Sequence, residues 1–312
     1  MSLLFTTIKS VIVVELLVLC NATPFFTGTL NMSNTVSIPK SLETPSCLDV
    51  KAKDVMQYGV ISTKTNAPVS EAVHLLVSTR ISALFVTHEG RLVGVLSEKD
   101  LLLLLFENDY LPGTVEEYMT REVVSFDTED CLGEISHFLV ETPFRRVPIM
   151  QNETISGMIT RADLIKYYRR QVKATQPFAR TKRSKDGLAE EIMQCGLLPV
   201  TPKTPIAEAM DLIVKYDMPG LPVVNAQNIL QGILTEKDLL RFICQPEATC
   251  KEVKDLMTTN PVCFSPQDSI EEICGCLISN SFYQVPIVDA GQLRGIISRA
   301  DILKYRCSFF KR

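Results

Sequence analysis

The sequence predicts an α/β (α+β) fold made of four β-α-β-β-α repeats packed as two tandem pairs. Three observations predict it. Gly94-Val-Leu-Ser97-Glu-Lys-Asp100-Leu recurs as Gly157-Met-Ile-Thr160-Arg-Ala-Asp163-Leu, Gly232-Ile-Leu-Thr235-Glu-Lys-Asp238-Leu and Gly295-Ile-Ile-Ser298-Arg-Ala-Asp301-Ile. Asp100 and Asp163 are 63 residues apart, as are Asp238 and Asp301, whereas 75 separate Asp163 from Asp238. A shift of 138 superposes Gly94 on Gly232, Met119 on Met257, Pro148 on Pro286 and Asp163 on Asp301, and it keeps Glu-Lys in repeats one and three and Arg-Ala in two and four. A two-repeat unit that was itself duplicated accounts for all three, and internal repeats of this kind decide the architecture.

Within each repeat the elements follow one order. A short apolar run opens it, Val60-Ile61, Val123-Val124, Leu197-Leu198 or Val262 to Phe264, and reads as a strand. Turn formers follow, such as Asn66-Ala-Pro68 and Lys203-Thr-Pro205. A helical stripe at i, i+3, i+4, i+7 and i+8 comes next. It is Val69, Ala72, Val73, Leu76 and Val77 in repeat one, Ile206, Ala209, Met210, Ile213 and Val214 in repeat three, and Ile270, Ile273, Cys274, Leu277 and Ile278 in repeat four; repeat two breaks it only at Ser136. Two further β-like runs, for example Leu221 to Val224 and Leu230 to Leu234, precede a second helix that begins at the hydroxyl–x–x–Asp segment.

One unit of roughly 55 residues buries too little apolar surface to be comfortable alone. Two packed sheet to sheet make a domain of about 120 residues. The expected organisation is therefore a tail over 1–46, a first pair over 51–168 (repeats 51–106 and 115–168), a basic linker over 169–186, and a second pair over 187–306 (repeats 187–244 and 251–306). The pairs are expected to be lobes that fold independently.

The motif resembles the cystathionine-β-synthase-type (CBS) domain, a β-α-β-β-α module found in tandem pairs called Bateman modules. The resemblance covers most of the chain and implies a regulatory, ligand-sensing protein.

The chain has 312 residues, 46% of them hydrophobic and 22% charged, with a net charge of −4. That describes an ordinary globular protein with no general attraction to nucleic acid or anionic membrane. The basic stretch Arg169, Arg170, Lys173, Arg180, Lys182, Arg183 and Lys185 is read as a solvated linker. The ten cysteines show no extracellular framework, and Cys274-Gly-Cys276 is read as helix core because Cys274 falls on the apolar stripe. The three histidines, at 74, 88 and 137, are scattered, so no metal site is expected. Val11 to Cys20 is too short to span a bilayer, which takes about 20 apolar residues. It resembles the hydrophobic region of a signal peptide with Ala22 as cleavage residue, but Glu15 interrupts it. The adopted reading is a disordered tail or an upstream-extended start, Met32 being a later candidate, in a cytoplasmic protein.

The motif's chemistry follows from its place at a strand end and a helix start. Free N–H groups and the positive dipole end of a helix N-terminus favour a phosphate there. A hydroxyl at the first position can donate to phosphate oxygen, and a carboxylate three residues on can accept from both hydroxyls of a ribose. The family resemblance implies the same roles, which fall on Ser97, Thr160, Thr235 and Ser298 for phosphate and on Asp100, Asp163, Asp238 and Asp301 for ribose. Ser/Thr-x-x-Asp is also close to a capping box, which needs no ligand. Arg145-Arg146-Val-Pro148 resembles the His-Arg-hydrophobic-Pro segment of the sensing subunit of AMP-activated kinase, which implies that Arg146 reaches phosphate; an exposed charge on a strand edge is the alternative. Its equivalents are Ala83, Gly220 and Gln284, and repeat one also carries Phe85 where the others have proline, which predicts an altered or filled cleft. Arg161 and Arg299, inside the motif, are further phosphate candidates.

No catalytic constellation accompanies the repeats, so no enzyme is expected. CBS pairs also occur inside inosine monophosphate dehydrogenase, but a barrel of roughly 250 residues has no room here. The expected function is a stand-alone regulator that needs no cofactor, binds an adenine nucleotide (AMP, ADP, ATP or S-adenosylmethionine) and passes occupancy to an unknown protein partner; the alternative is a ligand-free interaction scaffold. No nucleic-acid partner and no transmembrane span are expected, and a homodimer is left open.

Overall fold

The computed structural model describes residues 35–37, 50–79, 81–107, 112–175, 187–243 and 251–309. In repeat one, strand Ser62–Lys64 runs parallel to Ala83–His88, which forms an antiparallel hairpin with Arg91–Ser97; helix Val69–Thr79 connects the first two strands and helix Glu98–Glu107 follows the third. Repeat two repeats the plan with Val123–Asp127, Leu132–Glu141, Arg146–Gln151, Thr154–Thr160 and Arg161–Thr175. Repeat three has helix Ile206–Lys215, hairpin Gly220–Val224 and Leu230–Thr235, and helix Glu236–Ile243; repeat four has Ile270–Ser279, Gln284–Asp289, Gln292–Ser298 and Arg299–Phe309.

The first strand is the element that departs from expectation. In repeats three and four it shrinks to single parallel bridges, Val200 to Val223 and Phe264 to Ile287. In repeats one and three the apolar run lies ahead of the pairing position, Val60-Ile61 preceding the strand and Leu198 being exposed; in repeat four the run reaches it at Phe264, with Val262 exposed.

The helical stripes point inward as the spacing requires. Val69, Ala72, Val73 and Leu76 are buried, as are Ile270, Ile273, Cys274 and Leu277. Burying one such aliphatic side chain contributes about 1.5–3 kcal/mol. Ser136 breaks the stripe without cost because it is paired: its Oγ donates to the Leu132 carbonyl at 2.7 Å and accepts from the Tyr168 hydroxyl at 2.7 Å. A buried hydroxyl is tolerated when both of its capacities are used.

Each pair is closed by exchange of lead segments. Before its first strand, repeat one bridges Gln57 to Met158 of repeat two, and repeat two bridges Thr120 to Val95 of repeat one. The second pair repeats this with Gln194 to Ile296 and with Thr258 and Thr259 against Ile233 and Gly232. The motif glycine is needed at this crossing. A Cβ on Gly157 would lie 2.6 Å from the Gln57 carbonyl oxygen, one on Gly232 2.8 Å from that of Thr258, and one on Gly295 2.9 Å from that of Gln194. In the first pair the sheets meet through Phe85, Leu92 and Val123, with Val95, Met150 and Met158 packed around them. Phe85, which replaces the proline of the other repeats, fills this layer.

The two pairs do not keep separate cores. One core joins repeat two to repeat four, Ile135, Leu139, Ile165 and Ile149 packing with Ile273, Leu277, Ile297 and Ile302. The other joins repeat one to repeat three, Leu76, Leu96 and Leu101 packing with Ile213, Leu234 and Leu239. Helix Arg161–Thr175 lies on Arg299–Phe309, and Glu98–Glu107 on Glu236–Ile243. Shared cores weigh against the expectation of independently folding lobes: the second helices, apolar on the face away from their own sheet, are covered by the other pair.

The linker is also shorter than 169–186. Residues 169–175 continue the helix, and Arg169 Nε lies 2.5 Å from Glu271 of repeat four, so this arginine joins the pairs instead of sitting in solvent. Residues 176–186 lie outside the described residues. Of the tail, the Thr35–Ser37 backbone adds a parallel strand beside Val123–Ser125; residues 1–34, with the signal-like run, lie outside the described residues. Among the described residues no helix is long and apolar enough to cross a membrane.

Candidate functional site: a cationic cavity where the repeats converge

The four motifs share one local geometry. In each, the backbone N–H and the hydroxyl of the Ser/Thr donate to the aspartate Oδ2: 2.9 and 2.7 Å for Ser97 to Asp100, 2.9 and 2.5 Å for Thr160 to Asp163, 2.9 and 2.6 Å for Thr235 to Asp238, 2.7 and 2.6 Å for Ser298 to Asp301. The aspartate N–H points back at the hydroxyl oxygen at 3.3 to 3.4 Å. These are capping boxes, and they stabilise the start of each second helix. Aspartate satisfies the box through Oδ2, and Oδ1 is left for other donors.

The hairpin register ties the motifs to a second residue set. Ser97 pairs directly with Ala83, Thr160 with Arg146, Thr235 with Gly220 and Ser298 with Gln284. Within a pair these residues face each other. Arg146 donates to the Ser82 hydroxyl, beside Ala83, and Gln284 Nε2 donates to the Gly220 carbonyl at 2.9 Å. Ala83 and Gly220 are small because a long side chain from the other repeat crosses there.

A cavity of about 250 Å³ opens where repeats two, three and four converge. Repeat two contributes Arg145, Arg146, Thr160 and Arg161; repeat four contributes Tyr283, Ser298 and Arg299; repeat three contributes Asp217 and Pro219. The N-termini of helices Arg161–Thr175 and Arg299–Phe309 open onto it, so their dipoles add to its positive potential. Five of the seven phosphate candidates are therefore brought together: Arg146, Thr160, Arg161, Ser298 and Arg299. Ser97 and Thr235 lie outside its lining. The ribose candidates Asp100, Asp163, Asp238 and Asp301 stay at their own helix starts, Asp163 buried and the others half-buried. Burial raises the pKa of Asp238.

The arginines are poorly neutralised. Desolvation lowers the pKa of Arg146 and of Arg299, and takes Arg161 to about 10 with added repulsion from Arg145. Their hydrogen bonds go to neutral groups: Arg161 to the carbonyls of Leu139 (3.0 Å) and Thr142 (2.8 Å), Arg299 to that of Leu277 (3.2 Å). These carbonyls end helices Leu132–Glu141 and Ile270–Ser279, so both arginines also cap a helix C-terminus. Arg299 Nε is buried with no partner among the described residues. Guanidiniums desolvated beside one another favour any anion that enters.

Residues outside the phosphate and ribose candidates complete the centre. Arg145 forms a bidentate pair with Glu236; burial alone would lower its pKa, but the Glu236 hydrogen bond and charge raise it. Arg145, Lys237 and Arg299 stand 5.5, 5.1 and 5.1 Å from the Tyr283 ring centre. Lys99 reaches Asp217 at 2.7 Å. Glu98, only 3% exposed, has its pKa pushed up to about 7 by desolvation and then by the Glu236 charge. The signal was present in the alternation of Glu-Lys with Arg-Ala, which sets acids on the side of repeats one and three and arginines on the other. Among the described residues no three His, Cys, Asp or Glu side chains group as metal ligands.

The family model for the CBS domain matches residues 52–107, 115–170, 189–245 and 253–308. The chain belongs to the CBS-domain family. Its CBS repeats are 25% identical over 199 residues to the uncharacterized protein MJ1225 of Methanocaldococcus jannaschii, covering 63% of this chain and 71% of that one. The crystal structure of that protein aligns over 82% of this chain and 99% of its own with a TM-score of 0.73 and 16% identity, which shows a shared fold. An uncharacterized conserved protein from Pyrococcus horikoshii aligns over 82% and 100% with a TM-score of 0.56 and 24% identity. The inosine-5′-monophosphate dehydrogenase of M. jannaschii is 35% identical over 119 residues, 38% of this chain but 23% of the enzyme. That likeness covers a CBS module and carries no dehydrogenase activity with it.

Proposed function

We propose that this CBS protein is a regulator without catalytic activity that senses adenine nucleotides (AMP, ADP, ATP or a related adenosyl ligand) and transmits occupancy to a separate protein partner. The observation that carries the reading is the cavity of about 250 Å³, where five candidate phosphate groups and two helix N-termini meet around arginines held mostly by neutral acceptors. A phosphate tail entering there replaces water with fixed donors and relieves repulsion among the guanidiniums. The ribose lies at Asp163 or Asp301, whose Oδ1 is directed away from the capping box. Transmission follows because the cavity is lined by both pairs: a ligand that favours one arrangement of the pairs shifts their equilibrium.

The four completed capping boxes favour a second reading, a ligand-free scaffold in which the motifs only start helices. Calorimetric titration with adenosine, AMP, ADP, ATP and S-adenosylmethionine separates the two, with Asp163→Ala alongside. The sensor reading expects saturable binding that Asp163→Ala weakens beyond its effect on melting temperature. A ligand at 100-fold its Kd should stabilise the protein by about 2.7 kcal/mol. No binding by any of the five supports the scaffold.

A further inference from the structure

The carboxylates of repeats two and four each accept a side-chain amide through Oδ1. Gln57 Nε2 donates to Asp163 Oδ1, and Gln194 Nε2 donates to Asp301 Oδ1 at 2.9 Å. Oδ2 is already taken by the capping box, so the amide sits on the carboxylate oxygen an outside donor would use; at Asp163 the same oxygen also lies 3.9 Å from Lys166 Nζ. Both glutamines sit on the exchanged lead segments, pinned by the bridges Gln57 to Met158 and Gln194 to Ile296. The motif glycines Gly157 and Gly295 let those segments approach closely enough for the amide to reach. At the equivalent crossings toward Asp100 and Asp238 the residues are Thr120 and Thr258, whose side chains are shorter. Gln-Thr-Gln-Thr thus alternates along the chain, and the glutamines serve the two motifs that carry arginine.

We propose that Gln57 and Gln194 are specificity-determining residues: each amide stands in for a ribose hydroxyl and must be displaced by a ligand that offers a vicinal diol. The inference rests on the adenine-nucleotide reading above. A ribonucleotide gains its contact with the carboxylate only by giving up the amide contact, so net affinity is held down. A ligand without a hydroxyl at that position leaves the amide in place and neither gains nor loses. The glutamine therefore compresses the preference for ribose over deoxyribose in these two clefts, while a bare carboxylate would express it fully.

The test compares ATP with 2′,3′-dideoxy-ATP by calorimetry on the full chain, in wild type, Gln57→Leu and Gln194→Leu. Both glutamines are exposed, so the variants should melt close to wild type. Removing a hydrogen bond to a charged group changes affinity by roughly tenfold. ATP should bind about tenfold more tightly to at least one variant, with the dideoxy ligand unchanged. Gln57→Asn, too short to span the gap, should behave like Gln57→Leu, which excludes an effect of the leucine itself. Weaker ATP binding in the variants would make the glutamine a direct ligand contact and overturn the proposal. Equal shifts for both ligands, or no shift, would also overturn it while leaving the sensor reading intact. Failure of wild type to bind any of the five ligands titrated above would sink both.

Discussion

Arg145 of repeat two and Glu236 of repeat three form a bidentate ion pair, Nη1 to Oε2 at 2.6 Å and Nη2 to Oε1 at 2.9 Å, across the boundary between the two CBS pairs. Glu236 is 1% exposed, while Arg145 reaches it from the cavity wall and stays 24% exposed. Breaking a buried pair by removing one partner leaves an uncompensated charge and costs about 3–5 kcal/mol. Arg145→Ala should therefore lower the urea midpoint sharply, and the double variant Arg145→Ala/Glu236→Ala should recover much of the loss. Additive losses in the double variant would show that the two groups do not act as a unit.

The motif glycines give a ranked prediction. Gly157→Ala places its Cβ 2.6 Å from a backbone oxygen, whereas Gly94→Ala meets the flexible Met119 Sδ at 2.5 Å and a backbone oxygen only at 3.0 Å. Overpacking costs roughly 1–3 kcal/mol, and backbone yields less readily than a methionine tip. Gly157→Ala should melt below Gly94→Ala, both below wild type. The reverse order would remove the lead-segment crossing as the reason for the glycine.

Much of this was legible in the sequence, because four copies average out local noise. The helix stripes, the hairpins and the position of Cys274 in the core follow from periodicity alone. The first strands were legible only in part: Val123-Val124 opens one and the run Val262 to Phe264 contains the pairing residue Phe264, but Val60-Ile61 and Leu197-Leu198 lie ahead of pairing that begins at Ser62 and falls at Val200, which depends on where the neighbouring strand lies. The sharing of cores between pairs was missed for a related reason. A pattern shows that the second helices have an apolar face, but not which repeat covers it. At the site, the sequence groups Arg146 and Arg161 in repeat two and sets Arg299 in repeat four; that the two sets meet, with Arg145, Asp217 and Tyr283 beside them, depends on the packing of repeat two against repeats three and four.

Because each core draws on both pairs, cutting the chain within 176–186 should not yield two separate folded lobes. After limited proteolysis, the fragments should co-elute on gel filtration and unfold in one transition. Two fragments that separate without denaturant and each melt cooperatively would contradict the shared cores.

Glu98 predicts a pH dependence. Its pKa of about 7 in the folded protein lies above the ordinary 4.5, so the native state holds a proton that the unfolded state releases between these values. Stability from this group is fully present below about pH 4.5 and declines as pH rises to about 7, by about 3 kcal/mol in all. Wild type should lose melting temperature from pH 5 to 8, and Glu98→Gln should flatten that part of the profile. An unchanged slope in the variant would place the titration elsewhere.

If the arginine-lined cavity receives the phosphates of an adenine nucleotide, Arg146 is the residue whose charge they meet. Adenosine, AMP and ATP should be titrated into wild type and Arg146→Glu. Reversing the charge should weaken ATP by more than tenfold, AMP by less, and adenosine little, since a charge-assisted bond to phosphate is worth about 1.5–3 kcal/mol. An ATP-to-adenosine affinity ratio that is the same in both proteins would contradict the account.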